Sequence, residues 1–176
     1  LQELKEGKQT IPLQVQIVPT NRCNENCGFC LYRKDKALCN EEFETQDQLS
    51  FEKIVETLDC FNDMGVKAVS YTGGGSPLVH PQATDILKTT IDKKIELSLV
   101  TNGMALTEEQ CELLGNYASW TRVSVDCATP ETYEYLRQVP KKNFDRVINN
   151  IKTLIKYKKD CIIGVGFVVQ KDNYKE

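Results

Sequence analysis

A chain of 176 residues, 40% of them apolar, is long enough to bury one sizeable core and reads as a single domain. Its formal net charge of −3, from 22 Lys and Arg against 25 Asp and Glu, leaves no basic footprint, so nucleic acid is not expected as a partner. No apolar run approaches the roughly 20 residues of a membrane span, and Leu1–Thr10 is too polar for a secretory leader. Eight cysteines without a leader then point to a reducing, cytoplasmic setting, and their spacing is not that of a disulfide framework.

The first predicted strand is Leu13–Val18, closed by Pro19. It delivers the loop Asn21–Cys30, in which Cys23, Cys27 and Cys30 are spaced C-x3-C-x2-C. Three thiolates this close suit one metal centre, iron–sulfur or zinc. A structural zinc would want a fourth ligand, and no Cys or His follows at finger spacing. A [4Fe–4S] cluster held by three cysteines would keep one iron open to a small molecule. The stretch Leu31–Ser50 is polar and without period; it reads as a long loop with a short helix near Glu41–Phe43, of the kind that often serves a neighbouring site.

Ser50 is placed to cap a helix whose apolar stripe is Phe51, Ile54, Val55, Leu58 and Phe61, with Gly65 as its stop. A second strand, Val66–Tyr71, runs into the turn Thr72-Gly73-Gly74-Gly75-Ser76-Pro77. Pro81 opens a second helix, with Ala83, Ile86, Leu87 and Ile91 on one face. The third strand is Ile95–Val100, ending in Thr101-Asn102-Gly103; Thr107 caps a helix over Glu108–Leu114, which Gly115 should end. A fourth strand over Thr121–Val125 leads to Asp126-Cys127, and Thr129-Pro130 opens a short helix through Arg137. A longer helix over Phe144–Tyr157 and a fifth strand over Ile162–Val169 complete the series.

Strands alternating with helices mean an α/β fold with parallel pairing, either an open doubly wound sheet or a (β/α) barrel; periodicity does not decide between them. In both, function gathers at the carboxyl ends of the strands. The peculiar segments lie there: the cysteine loop, the glycine turn, Asn102 and Asp126.

Taken together and in this order, these segments resemble the radical S-adenosylmethionine (radical SAM) family, from about Leu13 onward, with Phe29 in the aromatic slot of its C-x3-C-x-aromatic-C signature. The resemblance implies a partial (β/α)6 TIM-type barrel, of which 1–176 would be the core domain with about five β/α units, incomplete and part of a longer chain. It implies a [4Fe–4S] cluster on Cys23, Cys27 and Cys30, and S-adenosylmethionine as second cofactor. Phe29 would lie near the adenine. Gly73, Gly74, Gly75 and Ser76 match the family's Gly-Gly-Glu-Pro turn for the methionine ammonium. Here Ser76 stands where Glu is usual, and a hydroxyl accepts less strongly than a carboxylate.

Ser98 and Asn102 match positions facing the ribose and carboxylate, and Ser124 and Asp126 match a Ser-x-Asp motif. Arg137 matches an arginine that pairs with the methionine carboxylate, and Val168, with Val169, packs the adenine. The implied chemistry is one-electron cleavage of S-adenosylmethionine to methionine and a 5′-deoxyadenosyl radical that takes hydrogen from a substrate. An external donor, flavodoxin- or ferredoxin-like, would supply the electron. The substrate would be a small molecule or a peptide; related subfamilies with a C-terminal SPASM-like extension carrying further clusters modify peptides or proteins. The residues that act on the substrate are not identified.

Plainer readings stand beside these. The chain could be a non-catalytic iron–sulfur module for electron transfer or partner docking, which Ser76 would suit. The glycines could simply form a tight turn. Asp126 could cap the following helix, Ser98 could be a polar residue on an alternating strand, and Arg137 a solvated charge. His80 reads as a helix-start residue and not a ligand. Cys60 lies off the core stripe, Cys111 packs as a small apolar residue, and Cys161 belongs to the end of the barrel far from the chemistry. Cys39 and Cys127 are on the reactive side and read as ordinary thiols able to reach a substrate or a second cluster.

Overall fold

The computed structural model describes residues 5–8, 10–32 and 43–176. Cys39 and all but the last residue of the expected Glu41–Phe43 helix lie outside them, and Phe43 itself is irregular. Five parallel strands form one sheet: β1 (Gln14–Ile17), β2 (Ala68–Tyr71), β3 (Glu96–Thr101), β4 (Ala118–Ser124) and β5 (Ile162–Gly166). The connecting helices are α1 (Phe51–Met64), α2 (Ala83–Asp92), α3 (Glu108–Tyr117), α4 (Pro130–Arg137) and α5 (Lys142–Tyr157).

The strand order is β1-β2-β3-β4-β5, each strand paired with its successor in sequence. This resolves what periodicity left open. An order without reversal, built from right-handed crossovers, sends every helix to the same face of the sheet, as in the wall of a (β/α) barrel; a doubly wound sheet reverses. The side chains agree. Val69 and Tyr71 of β2 and Leu97 and Leu99 of β3 share one core with Ile54 and Leu58 of α1, Ile86 and Leu87 of α2, and Leu114 of α3. The alternate residues Ser70 and Ser98, paired in register, face the other way. A second core under β4 joins Val123, Val125 and Cys127 to Tyr133 and Leu136 of α4 and Val147 and Ile151 of α5.

The cap signals act as the sequence suggests. The Ser50 side chain accepts from Lys53 N, Gly65 adopts φ 84°, and Thr107 forms a reciprocal capping box with Gln110. Several boundaries differ. Pro81 does not open α2, which begins at Ala83; Pro77 instead opens one 3-10 turn, Pro77–Val79. Gly115 does not end α3. It lies inside the helix, where an added Cβ would come within 2.7 Å of the Tyr157 backbone, so its role is close packing against the end of α5. β4 starts three residues earlier than expected, at Ala118. β5 ends at Gly166, paired with Ser124, the last residue of β4, so Val168 and Val169 lie beyond the strand. No helix among the described residues is long and apolar enough to cross a membrane.

Candidate cofactor site

The carboxyl ends of the strands open onto a cavity of about 510 Å³, a size usual for a small-molecule site. Cys23, Cys27 and Cys30 line it, all half-buried. Phe29, Gly73, Gly74, Gly75, Ser76, Asn102, Ser124, Asp126, Arg137 and Val168 line it with them. Ser98 and Val169 do not; Val169 is exposed. The Ser98 hydroxyl donates to Val69 O at 3.3 Å within the sheet, as a polar residue on an alternating strand would.

The glycine turn and the cysteine loop form one body. Ser76 N donates to Arg22 O at 2.9 Å. A Cβ on Gly75 would sit 2.0 Å from that same carbonyl, so only glycine lets the two segments meet. Ser76 is buried, its Oγ 3.2 Å from Thr101 Oγ1 and donating to Asn102 Oδ1 at 3.3 Å. Asn102 in turn donates through Nδ2 to Asn24 Oδ1 at 2.7 Å and, longer, to Cys23 Sγ at 3.7 Å. The end of β3 is thereby fastened to the first cysteine.

The opposite wall is charged. Arg137, at the end of α4, is 4% exposed. Its Nη1 donates to Glu25 Oε2 at 2.8 Å and to Cys27 Sγ at 3.3 Å; its Nη2 donates to Ser124 O at 2.5 Å and Asp126 Oδ2 at 2.6 Å. The guanidinium also stands 5.7 Å from the Phe29 ring centroid and 5.9 Å from that of Tyr133. Arg137 is therefore not a solvated charge. Glu25, the middle residue between Cys23 and Cys27, also accepts from the Tyr133 hydroxyl. Burial pushes the Glu25 carboxyl above its ordinary range while Arg137 pulls it back, and burial pushes the Cys27 thiol up to about 11, again against Arg137.

Asp126 does not cap α4; Thr129 does, accepting from Thr132 N. Asp126 takes the left-handed conformation, φ 62°, which aspartate tolerates. From there it reaches Arg137 with one oxygen and Val168 N with the other, at 2.6 Å. Buried Asn173 completes the joint, donating to Asp126 O and Val168 O, both at 2.8 Å. Glu25, Tyr133 and Asn173 are site residues that sequence reasoning missed. The only local signal was a carboxylate inside the three-residue gap; Tyr133 and Arg137, which hold it, are more than 100 residues away.

The remaining residues play structural parts. His80 is buried just before α2, with Nδ1 accepting from Gln82 N (3.1 Å) and Nε2 facing Leu49 O (2.9 Å), so it braces the start of that helix. Cys111, Cys127 and Cys161 are buried and Cys60 is exposed. Cys127 packs in the second core, where burial pushes its thiol up to about 12.

The donor set fits an iron–sulfur cluster with an acceptor-rich ligand. Cys23, Cys27 and Cys30 rim one cavity, and three thiolates on one rim suit the separate irons of a cluster. Two buried donors, Arg137 Nε and Gln170 Nε2, have no partner among the described residues, and both residues line the cavity.

Residues 17–176 match the family model described as "Radical SAM superfamily". The chain is 30% identical over 152 residues to a probable GTP 3′,8-cyclase of Methanocaldococcus jannaschii, covering 86% of this chain and 47% of the relative. It is 30% identical over 146 residues to the subtilosin biosynthesis protein AlbA of Bacillus subtilis, covering 82% and 31%. Its fold matches Streptococcus suis SuiB bound to S-adenosylmethionine with a TM-score of 0.74 at 22% identity, covering 97% of this chain and 37% of that one. The match to SuiB bound to its precursor peptide SuiA has a TM-score of 0.72. The chain thus spans about half or less of the length of these relatives. With a family match over nearly its whole length and three cysteines beside a glycine turn at the strand ends, the chain belongs to the radical SAM superfamily, whose enzymes work with a [4Fe–4S] cluster and S-adenosylmethionine.

Proposed function

We propose that this chain is the core of an enzyme that cleaves S-adenosylmethionine reductively and abstracts hydrogen from a peptide or protein. The observation that carries the reading is the convergence of three cysteines, a glycine turn and two unpartnered buried donors on one cavity. Cys23, Cys27 and Cys30 would hold the cluster. The glycine turn, with Ser76 and Asn102, would offer oxygens to the methionine ammonium. Arg137 has four of its five N–H groups engaged and keeps Nε for the carboxylate. Phe29 and Val168 would flank the adenine, with the Gln170 amide available to an acceptor on it. What the bound cofactors supply is one-electron cleavage of the sulfonium to methionine and a 5′-deoxyadenosyl radical able to take a hydrogen atom from a substrate. The electron would come from a flavodoxin- or ferredoxin-like protein. A peptide substrate is favoured by the likeness to SuiB, solved with its precursor peptide, and to AlbA, a bacteriocin biosynthesis protein.

The test is anaerobic reconstitution of the full-length protein with iron and sulfide, followed by S-adenosylmethionine and dithionite. A four-iron spectrum and 5′-deoxyadenosine are expected, and Cys27→Ala should lose both. A cluster that forms while S-adenosylmethionine neither binds nor is cleaved would replace this reading with that of an electron-transfer module.

A further inference from the structure

The proposed cofactor chemistry leaves one pair of charges unexplained. Glu25 and Arg137 are buried against each other, with side chains 0% and 4% exposed, directly on a cluster ligand. Glu25 Oε2 lies 3.8 Å from Cys27 Sγ, and Arg137 Nη1, bonded to that oxygen, also donates to Cys27 Sγ at 3.3 Å. Glu25 Oε1 accepts from the Tyr133 hydroxyl and Oε2 from Arg137 Nη1, so the ion pair is held by hydrogen bonds on both carboxylate oxygens beside a cluster ligand. The arrangement is fixed from behind. Asn26 N donates to Arg137 O at 3.1 Å and Gly28 N to Leu136 O at 2.9 Å, so the cysteine loop is tied to the end of α4. The Asn26 side chain adds a bond to Gln138 Oε1 at 2.9 Å.

Stability alone is a poor reason for such a pair, since apolar residues of the same volume often serve as well as or better than a buried ion pair. The potential of an iron–sulfur cluster, by contrast, is set by local net charge, hydrogen bonds to its sulfurs and burial. Resting on the cluster reading above, we propose that the Glu25–Arg137 pair sets the cluster's reduction potential. Glu25 is a positioning residue: it holds the guanidinium on the Cys27 sulfur and offsets its charge. Arg137 favours the cluster carrying the extra electron, and Glu25 opposes it. Removing either charge moves the potential in the opposite direction from removing the other, which a purely structural strut would not do.

The experiment is a redox titration of the reconstituted full-length protein followed by electron paramagnetic resonance, without S-adenosylmethionine. Glu25→Gln keeps the shape and deletes the charge; its remaining oxygen can still accept from Arg137, and its NH2 group can donate to the Tyr133 hydroxyl, which can turn to accept. At a fixed solution potential it should carry about tenfold more reduced cluster relative to oxidised than wild type, which is ~59 mV for a one-electron couple. Arg137→Gln should carry about tenfold less, Arg137→Lys should recover most of that loss, and the Glu25→Gln/Arg137→Gln double variant should return to within about threefold of wild type. Glu25→Gln carries the test by itself if Arg137→Gln, which strands two buried carboxylates, does not fold. Shifts below about twofold, or shifts of the same sign in both single variants, overturn the proposal. So does a Glu25→Gln protein that cannot fold or load the cluster, because the pair would then be a strut of the loop. If wild type takes up no four-iron cluster, the proposed function itself fails; if it does and the potentials coincide, only this inference fails.

Discussion

The two walls of the cavity are built on opposite principles. On the β1–β3 side the site is neutral and made by subtraction: glycines without Cβ atoms, a serine hydroxyl and an asparagine amide. On the α4 side it is made by addition: one arginine, two carboxylates and a tyrosine hydroxyl, all buried and mutually bonded. A neutral wall is limited by space, so it should fail when volume is added. A charged wall is limited by compensation, so it should fail when one partner is removed. The cysteine loop is held by both, to the glycine turn through Arg22 O and to α4 through Asn26 and Gly28.

The largest effect should come from the charged wall. Arg137→Leu keeps bulk but leaves Glu25 and Asp126 buried without their cation, and should cost about 3–5 kcal/mol of stability in urea unfolding. A loss under about 1 kcal/mol would mean that water reaches these carboxylates and that the wall is not compensated as described. Next comes the neutral wall. Gly75→Ala drives a Cβ to 2.0 Å from Arg22 O and 2.5 Å from Asn21 C, both backbone atoms that cannot swing aside. It should cost about 1–3 kcal/mol and reduce cluster loading, because the clash pushes the cysteine loop off the turn. Gly164→Ala on β5 meets nothing within 4 Å and should leave stability within about 0.5 kcal/mol. Equal losses at Gly75 and Gly164 would erase the distinction between the walls.

The same contrast explains what could be seen in the sequence. The neutral wall is local: three cysteines within eight residues, three glycines in a row and Asn102 at a strand end are legible because each motif is contiguous. The charged wall is not. Glu25 and Arg137 are 112 positions apart, and in sequence each is one charge among many on a polar stretch. Helix ends followed the same rule. Ser50, Gly65 and Thr107 act through neighbours within a turn, so the local sequence shows them. Gly115 answers to Tyr157, far along the chain, so it looked like a stop and is a packing site. The apolar run to Val169 carried no sign that β5 would lose its partner when β4 ends at Ser124. Strand order is a property of the whole sheet; the alternating pattern supplied the units, and only the assembled topology chose the barrel wall.

The finest test of the contrast is Ser76. If the neutral wall works by shape and weak acceptors, no single one of its polar groups should dominate. Ser76→Ala removes the hydroxyl between Thr101 Oγ1 and Asn102 Oδ1, yet Asn102 Oδ1 keeps a second donor, Met104 N at 3.1 Å. No buried acceptor is stranded, so the cost should be that of one ordinary hydrogen bond, about 0.5–1.5 kcal/mol, or up to about tenfold in S-adenosylmethionine affinity by calorimetry. The buried Thr101 hydroxyl loses the acceptor it had in Ser76 Oγ, so stability should fall by about 1 kcal/mol as well. A loss of several hundredfold would show that this hydroxyl stands in fully for the carboxylate usual at its position. The glycine side would then depend, like the α4 side, on one indispensable polar partner.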